Sequence, residues 1–482
     1  MSAVASHIIP PYAANFPSST AQPSSIFPFP GVTPQSTRTV RRILEENDKT
    51  YDIWEKARFA HNHFPHSALT RYALGAPPKL LEEVWQHDRS HLVSLDPSGK
   101  DRHENLKKVP EKITRENWDD PKYLGVKACY SRYLVFFHEE IDRLGPIGAL
   151  EEYIFSPQAN YASANGHEPP LMLIRFVGGL LHPMIHAGFG VEFKDRVILA
   201  EGLAQATNHD ASLYVPLYGS DWPKGPRKGR SLLDLYGEMC ASSVITPVPY
   251  DPDMLFNDRV GVEFELSDET VGWREKVEEL AVWATLLAGA TGRTGKEPRV
   301  DFFLMHALTS SIFLPAYLEI LSISNRRMLL KSYTLMLFVI ALGRGRPKLN
   351  PGLVMSYDLF PVAPGTEVKA SRETVGDASD KNTRNAWLTL IESSLYAKDS
   401  HVPKSIRALI YHNNHFGSLL PDQIFGAYRP DGTETIEGIG QVDGTLFLRV
   451  AGVIMDVMGW VREGQSEGGW DRSGLGYDEA WE

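Results

Sequence analysis

The chain has 482 residues, 43% of them hydrophobic and 23% charged, a globular balance long enough to bury a large core without covalent staples. A formal charge of −11 argues against nucleic acid or an anionic membrane as a main partner and favours small or neutral molecules. Two cysteines, Cys129 and Cys240, with no CxxC pair, exclude a zinc-finger or dithiol framework and fit a reducing, cytoplasmic compartment.

Residues 1–38 are rich in Pro, Ser and Ala and read as a flexible arm, without the basic and apolar segments of a secretory signal. Helical periodicity then dominates. Apolar residues recur at three- and four-residue spacing over 39–60, 63–74, 78–95, 123–144, 171–189, 196–207, 271–287, 300–321, 327–342, 385–396, 401–412 and 445–461. The best short strand candidate is YVPLYG near Tyr214. Polar interruptions fall at 210–231 and 349–380, and 463–482 reads as an acidic, Gly-rich tail. The expectation is an all-α fold, with one large multi-helix domain over 39–462 and few or no strands. The runs free of charged side chains, 176–191 and 302–318, fall short of the roughly 18 residues of a membrane span. Each holds histidine and proline, so both read as core helices.

Familiar cofactor signatures are missing. TGRTGK at 291–296 has Ala290 where a P-loop needs its first glycine and Glu297 where it needs Ser or Thr. GIGQVDG from Gly438 has the wrong glycine spacing for a dinucleotide turn. No GxSxG elbow occurs, and Asp142 stands where a zincin helix starting at His138 needs its second histidine. Any redox chemistry therefore needs a metal, or a partner that carries electrons.

Histidines in apolar, helical surroundings are the remaining signal. HNHFPHSALTRYALGAPP places His63 at a helix start and His66 one turn inside, and two of its three histidines read as capping or surface residues. In GGLLHPMIHAGFGVEF, His182 and His186 are four apart and share a helix face, a common way to present two imidazoles to one metal. Pro183 marks a helix start or kink there. The competing reading is a pair of core histidines bonded to carbonyls. His306 is the one long polar side chain in DFFLMHALTSSIFLPAYL. In KDSHVPKSIRALIYHNNHFG, His401 and Lys404 are three apart on a helix that starts near Ser400. A helix N-terminus disfavours imidazolium, and neutral imidazole is the metal-binding form. The same field, with burial, lowers a lysine pKa, and a neutral amine takes up carbon dioxide to give a carbamate.

Together NHFPHSALTRYALGAP, LLHPMIHAGFGVEF with AEGLAQA, DFFLMHALTSS and DSHVPKSIRAL resemble the questin oxidase-like family of fungal polyketide pathways, from about His61 to about Val461. The resemblance implies an all-helical oxidoreductase that opens the central ring of an anthraquinone. It implies Fe(II), dioxygen as co-substrate, and iron held by histidines and a carboxylated lysine. Carried over by position, His63, His182, His306 and His401 are the first-choice ligands, with His186 as an alternative fourth. Lys404 matches the modified lysine better than Lys369 or Lys381, which lie in a polar loop. A separate NADPH-dependent reductase would deliver the electron-rich hydroquinone of a small aromatic polyketide substrate. Two other readings compete: an NADPH- and flavin-dependent Baeyer–Villiger-type monooxygenase, and a non-catalytic helical binding protein.

Overall fold

A computed structural model describes residues 27, 29–55, 60–95, 109–161, 166, 168–211, 230–247, 249–250 and 273–482. The described residues form two compact units. Unit 1 takes residues 1–211 and 313–330, and unit 2 takes 212–312 and 331–482. The sequence reading has one domain over 39–462. Both units are discontinuous along the chain, so no single linker of distinctive composition marks the division.

Seventeen α-helices and one two-stranded sheet make up the described residues. Unit 1 opens with α1 (Pro34–Thr50), β1 (Tyr51–Glu55), α2 (Phe64–Ala73), α3 (Pro78–Asp88) and β2 (Leu92–Ser94). It continues with α4 (Tyr130–Leu150), α5 (Pro157–Asn160), α6 (Met172–Val177), α7 (His182–Phe193) and α8 (Arg196–Asn208). Unit 2 begins with α9 (Leu232–Ala241), α10 (Trp273–Gly289) and α11 (Phe302–Ser311). α12 (Leu314–Ile320) belongs to unit 1, and the boundary at Leu330 falls inside α13 (Ile323–Gly343). α14 (Pro351–Ser356), α15 (Ala386–Ser394), α16 (His401–Phe416) and α17 (Leu446–Met458) complete unit 2.

Local chemistry sets the ends of these helices. A reciprocal Thr33–Ser36 capping box with Pro34 starts α1, inside what the sequence reading assigns to the arm. The helix ends at Thr50 rather than 60. Tyr51–Glu55, with buried Ile53 and Trp54, pairs antiparallel with Leu92–Ser94, which trims the expected helix over 78–95 as well. β-prone side chains packed on a buried face override the helical spacing here. The Asp195 carboxylate accepts from the Val197 and Ile198 amides and starts α8. Asp301 does the same for α11 through Phe303 and Leu304.

α7 and α8 pack closely because glycines remove the side chains between them. A Cβ on Gly202 would lie 2.5 Å from the Ala187 amide nitrogen, and one on Gly190 would lie 2.5 Å from that of Leu199. The expected run over 171–189 breaks between α6 and α7, where Leu180 and Leu181 hold φ of 55° and 65°. The run over 300–321 likewise divides into α11 and α12. No single helix among the described residues is long and apolar enough to cross a membrane. YVPLYG near Tyr214 lies outside the described residues.

Residues 463–482 are not a loose appendage. Trp470, Leu475 and Trp481 are buried in unit 2. Arg293 and Arg299 stack on the Trp481 ring with guanidinium carbons 5.2 and 5.0 Å from its centroid. Asp471 forms an isolated bridge with Asp301 at the start of α11.

Candidate metal centre

Unit 1 buries a cluster of six histidines in three facing pairs. His63 and His182 approach Nε2 to Nε2 at 3.0 Å. His61 and His209 do the same at 3.0 Å, and His66 Nε2 lies 3.1 Å from His186 Nδ1. All but His63 are buried, and its side chain is 16% exposed. Of the three histidines in HNHFPH, none is exposed, and His63 alone stands at a helix N-cap, that of α2, without a side-chain capping bond. Packing of the 61–66 segment against α7 and α8, invisible in one stretch of sequence, buries them.

The first pair has a tautomer problem that points to a cation. His63 Nδ1 lies 2.6 Å from the His61 carbonyl oxygen, and His182 Nδ1 lies 2.6 Å from the Gly179 carbonyl oxygen. A carbonyl only accepts, so each Nδ1 carries the hydrogen and each neutral ring keeps its lone pair on Nε2. Two lone pairs then face one another at 3.0 Å, which is repulsive until something positive lies against both. A metal ion satisfies both nitrogens, and backbone oxygens on the outer ring nitrogens are the usual partners of ligating histidines.

The turn before α7 is built to aim His182. Gly179 has φ of 53° and sits against His209, so closely that a Cβ there would lie 2.2 Å from the ring. The two left-handed leucines that follow cost roughly 1–2 kcal/mol each. Strain of this kind persists where surrounding packing over-determines it, typically at functional sites.

His186 lies outside this arrangement, with both ring nitrogens already engaged. Its Nε2 lies 2.7 Å from Glu201 Oε2, and its Nδ1 meets His66. Burial, with Asp48 and Asp195 nearby, pushes the Glu201 carboxyl well above its usual range. Burial likewise lowers His186 to about 3. Burial thus favours the neutral form of both partners, and in that form the chain runs one way. The Glu201 carboxyl donates to His186 Nε2, and His186 Nδ1–H donates to His66 Nε2. The Asn47 amide donates to the other carboxyl oxygen of Glu201 at 3.2 Å, and Asn62 donates to Asn47 at 2.9 Å.

Unit 2 repeats the tethering of the first pair. His306 Nδ1 lies 2.8 Å from the Phe302 carbonyl oxygen, and His401 Nδ1 lies 2.7 Å from Asp399 Oδ1. The two rings stand 5.2 Å apart, edge to face. Trp470 Nε1–H donates to Asp399 Oδ2 at 2.9 Å, so the C-terminal segment braces the carboxylate that orients His401. Burial opposes ionisation of Asp399, but the adjacent His401 and Lys404 hold its carboxyl well below the usual range. Lys404 is 4% exposed. Its Nζ makes no hydrogen bond among the described residues. Burial lowers this amine to about 7, against a smaller opposing effect of Asp399. A substantial neutral fraction near pH 7 is the form that reacts with carbon dioxide.

Of the residues singled out in the sequence, unit 1 brings His63 and His182 together and engages His186 elsewhere. Unit 2 brings His306, His401 and Lys404 together. Sequence reading did not assign Glu201, His209 or Trp470. Glu201 carried a faint signal, because Glu201, Gln205 and Asn208 form a polar stripe on an otherwise apolar helix.

Fold and site together define an all-α protein organised around buried, outward-tethered histidines. The chain belongs to the Questin oxidase-like family, whose model matches residues 60–409 and so includes the six histidines and Glu201 of unit 1 and His306, Asp399, His401 and Lys404 of unit 2. It is 30% identical over 302 residues to the Baeyer-Villiger oxidase ptaJ of Pestalotiopsis fici, covering 59% of this chain and 64% of that protein. It is 29% identical to a questin oxidase of Aspergillus fumigatus over 58% of this chain and 63% of that one. A longer match, 26% identical over 94% of this chain and 91% of the relative, joins it to the Baeyer-Villiger monooxygenase AacuH of Aspergillus aculeatus. For the first two, the matched segment spans less than two thirds of the relative's length.

Proposed function

We propose that this protein is an oxygenase that cleaves a ring carbon–carbon bond of an anthraquinone, or of its hydroquinone, in fungal polyketide secondary metabolism. In this reading it uses ferrous iron, and the candidate ligands are His63 and His182 of unit 1 and His306, His401 and a carbamate on Lys404 of unit 2. The observation that carries the reading is the tethering of all four histidines through Nδ1, which reserves each Nε2 for a metal. Family membership and relatives named as oxidases and monooxygenases support the oxidoreductase class. Engagement of both His186 nitrogens favours leaving that residue out of the ligand set.

Bound iron would supply dioxygen activation, which no side chain here provides alone. The residues themselves hold and orient. Backbone carbonyls and Asp399 fix the imidazole tautomers, and burial keeps the Lys404 amine available for carbamate formation. Addition of one dioxygen to an anthrahydroquinone balances to a benzophenone acid with no further electrons. A separate NADPH-dependent reductase therefore suffices to prepare the substrate.

The test is metal analysis of protein purified without a nickel column, before and after His182→Ala. The expected result is iron in the parent protein, with loss of both iron and turnover in a folded variant. Full activity without iron would overturn the reading. The names of the relatives favour a second reading, a flavin- and NADPH-dependent Baeyer–Villiger oxidation. Turnover by a colourless preparation with no added flavin excludes it.

A further inference from the structure

On α8, Glu201, Gln205 and Asn208 are spaced by four and three residues and share one helix face. The two ends of this face are anchored. Glu201 is bonded to His186 and Asn47, and His209, next after Asn208, faces His61. Between the anchors, Gln205 and Asn208 are 0% and 2% exposed. Neither the oxygen nor the nitrogen of either carboxamide has a hydrogen-bond partner among the described residues. A buried polar group without a partner costs about 1–3 kcal/mol, and folded proteins rarely leave several side by side. Ring surfaces adjoin the anchor at His209. His61 stacks on His182 at 4.2 Å and lies 4.6 Å from the Trp54 ring, which is 5.3 Å from His209.

We infer that Gln205 and Asn208 form a subsite for the oxygenated edge of a planar aromatic substrate. Their carboxamide oxygens accept from its phenolic hydroxyls, and their N–H groups donate to its carbonyl. The inference rests on the anthraquinone reading above and adds which substituents are recognised, and by what. It predicts selectivity, because a buried site made to bond hydroxyls rejects an analogue that lacks them.

The test uses the full chain as purified, without reductant, titrated with 1,8-dihydroxyanthraquinone and with unsubstituted anthraquinone while tryptophan fluorescence is followed. The parent protein should prefer the dihydroxy compound. Gln205→Leu and Asn208→Leu should each weaken that compound about tenfold, the effect of one lost hydrogen bond, and move anthraquinone less than about threefold. Should either leucine variant fail to fold, Gln205→Met and Asn208→Ala remove the oxygens that accept from the hydroxyls without adding bulk and should show the same loss of preference. No preference in the parent, or variants that change both compounds equally or neither, would show that the carboxamides serve internal structure or bound water and would overturn the inference. The quinones do not turn over without reductant and the readout needs no iron. Preference lost on mutation therefore supports the subsite whatever the metal content, iron-loaded protein without that loss overturns only the subsite, and full activity without iron overturns only the iron reading.

Discussion

At the residue scale, a hydrogen bond's direction decides what each histidine can do. His182 and His186 share one helix and the same apolar flanks. An oxygen partner on Nδ1 turns the lone pair of one to Nε2, the form that suits a metal ligand, whereas partners on both nitrogens commit the other to Glu201 and His66. The one-way chain from a protonated Glu201 makes a specific prediction. Glu201→Gln donates to His186 and accepts from Asn47 as the neutral acid does, so urea denaturation should place it within about 1 kcal/mol of the parent. Glu201→Leu strands two buried partners and should cost about 2–4 kcal/mol. Equal losses in both variants would mean that Glu201 is held as a carboxylate. The i, i+4 histidines were legible in the sequence as a pair. Which of the two is suited to a ligand was not, because their partners lie 15 or more residues away or on a backbone turn.

At the element scale, a segment that reads as helix and another that reads as tail are the ones that aim side chains. The turn between α6 and α7 is one. Gly179→Ala would place a methyl against His209 at a left-handed φ, so it should lower stability by about 3 kcal/mol or more, read by thermal melting. Its metal content should fall further than that of a core variant of equal stability, because the Gly179 carbonyl orients His182. The C-terminal segment is the other. Removal of residues 464–482 takes away three buried apolar side chains, each worth about 1.5–3 kcal/mol, and the Trp470 bond to Asp399. Calorimetry should show a loss of roughly 5 kcal/mol or an unfolded product. A truncated chain that melts like the parent would contradict the docking. Composition alone reads this segment as solvated, because it is acidic and Gly-rich. Trp470 and Trp481 were the contrary signal.

At the scale of the whole molecule, buried neutral histidines set the pH response. Burial, first among the causes, lowers His186, His209 and His412 to about 3. In the unfolded chain each returns to about 6.5. Between these values the unfolded state binds more protons, so stability rises with pH across the window and is lost as pH falls from 6.5 toward 3. The urea midpoint should therefore drop steeply from pH 7 to pH 5, by about 2 kcal/mol or more in unfolding free energy. Buried carboxyls held protonated, Glu201 among them, act in the opposite sense over the same window, so a flat response would mean that they offset the rings. The amino-acid sequence by itself determined the all-α class and most helix positions. Apolar period and helix-end residues act over a few neighbours, and those neighbours are adjacent in the chain. Only the tertiary structure decided the trimming of α1 by a strand, the division into two discontinuous units, the burial of Lys404 and the roles of His182 and His186. Each of those depends on desolvation or on a hydrogen-bond partner from another element or turn, and neither is written in local spacing.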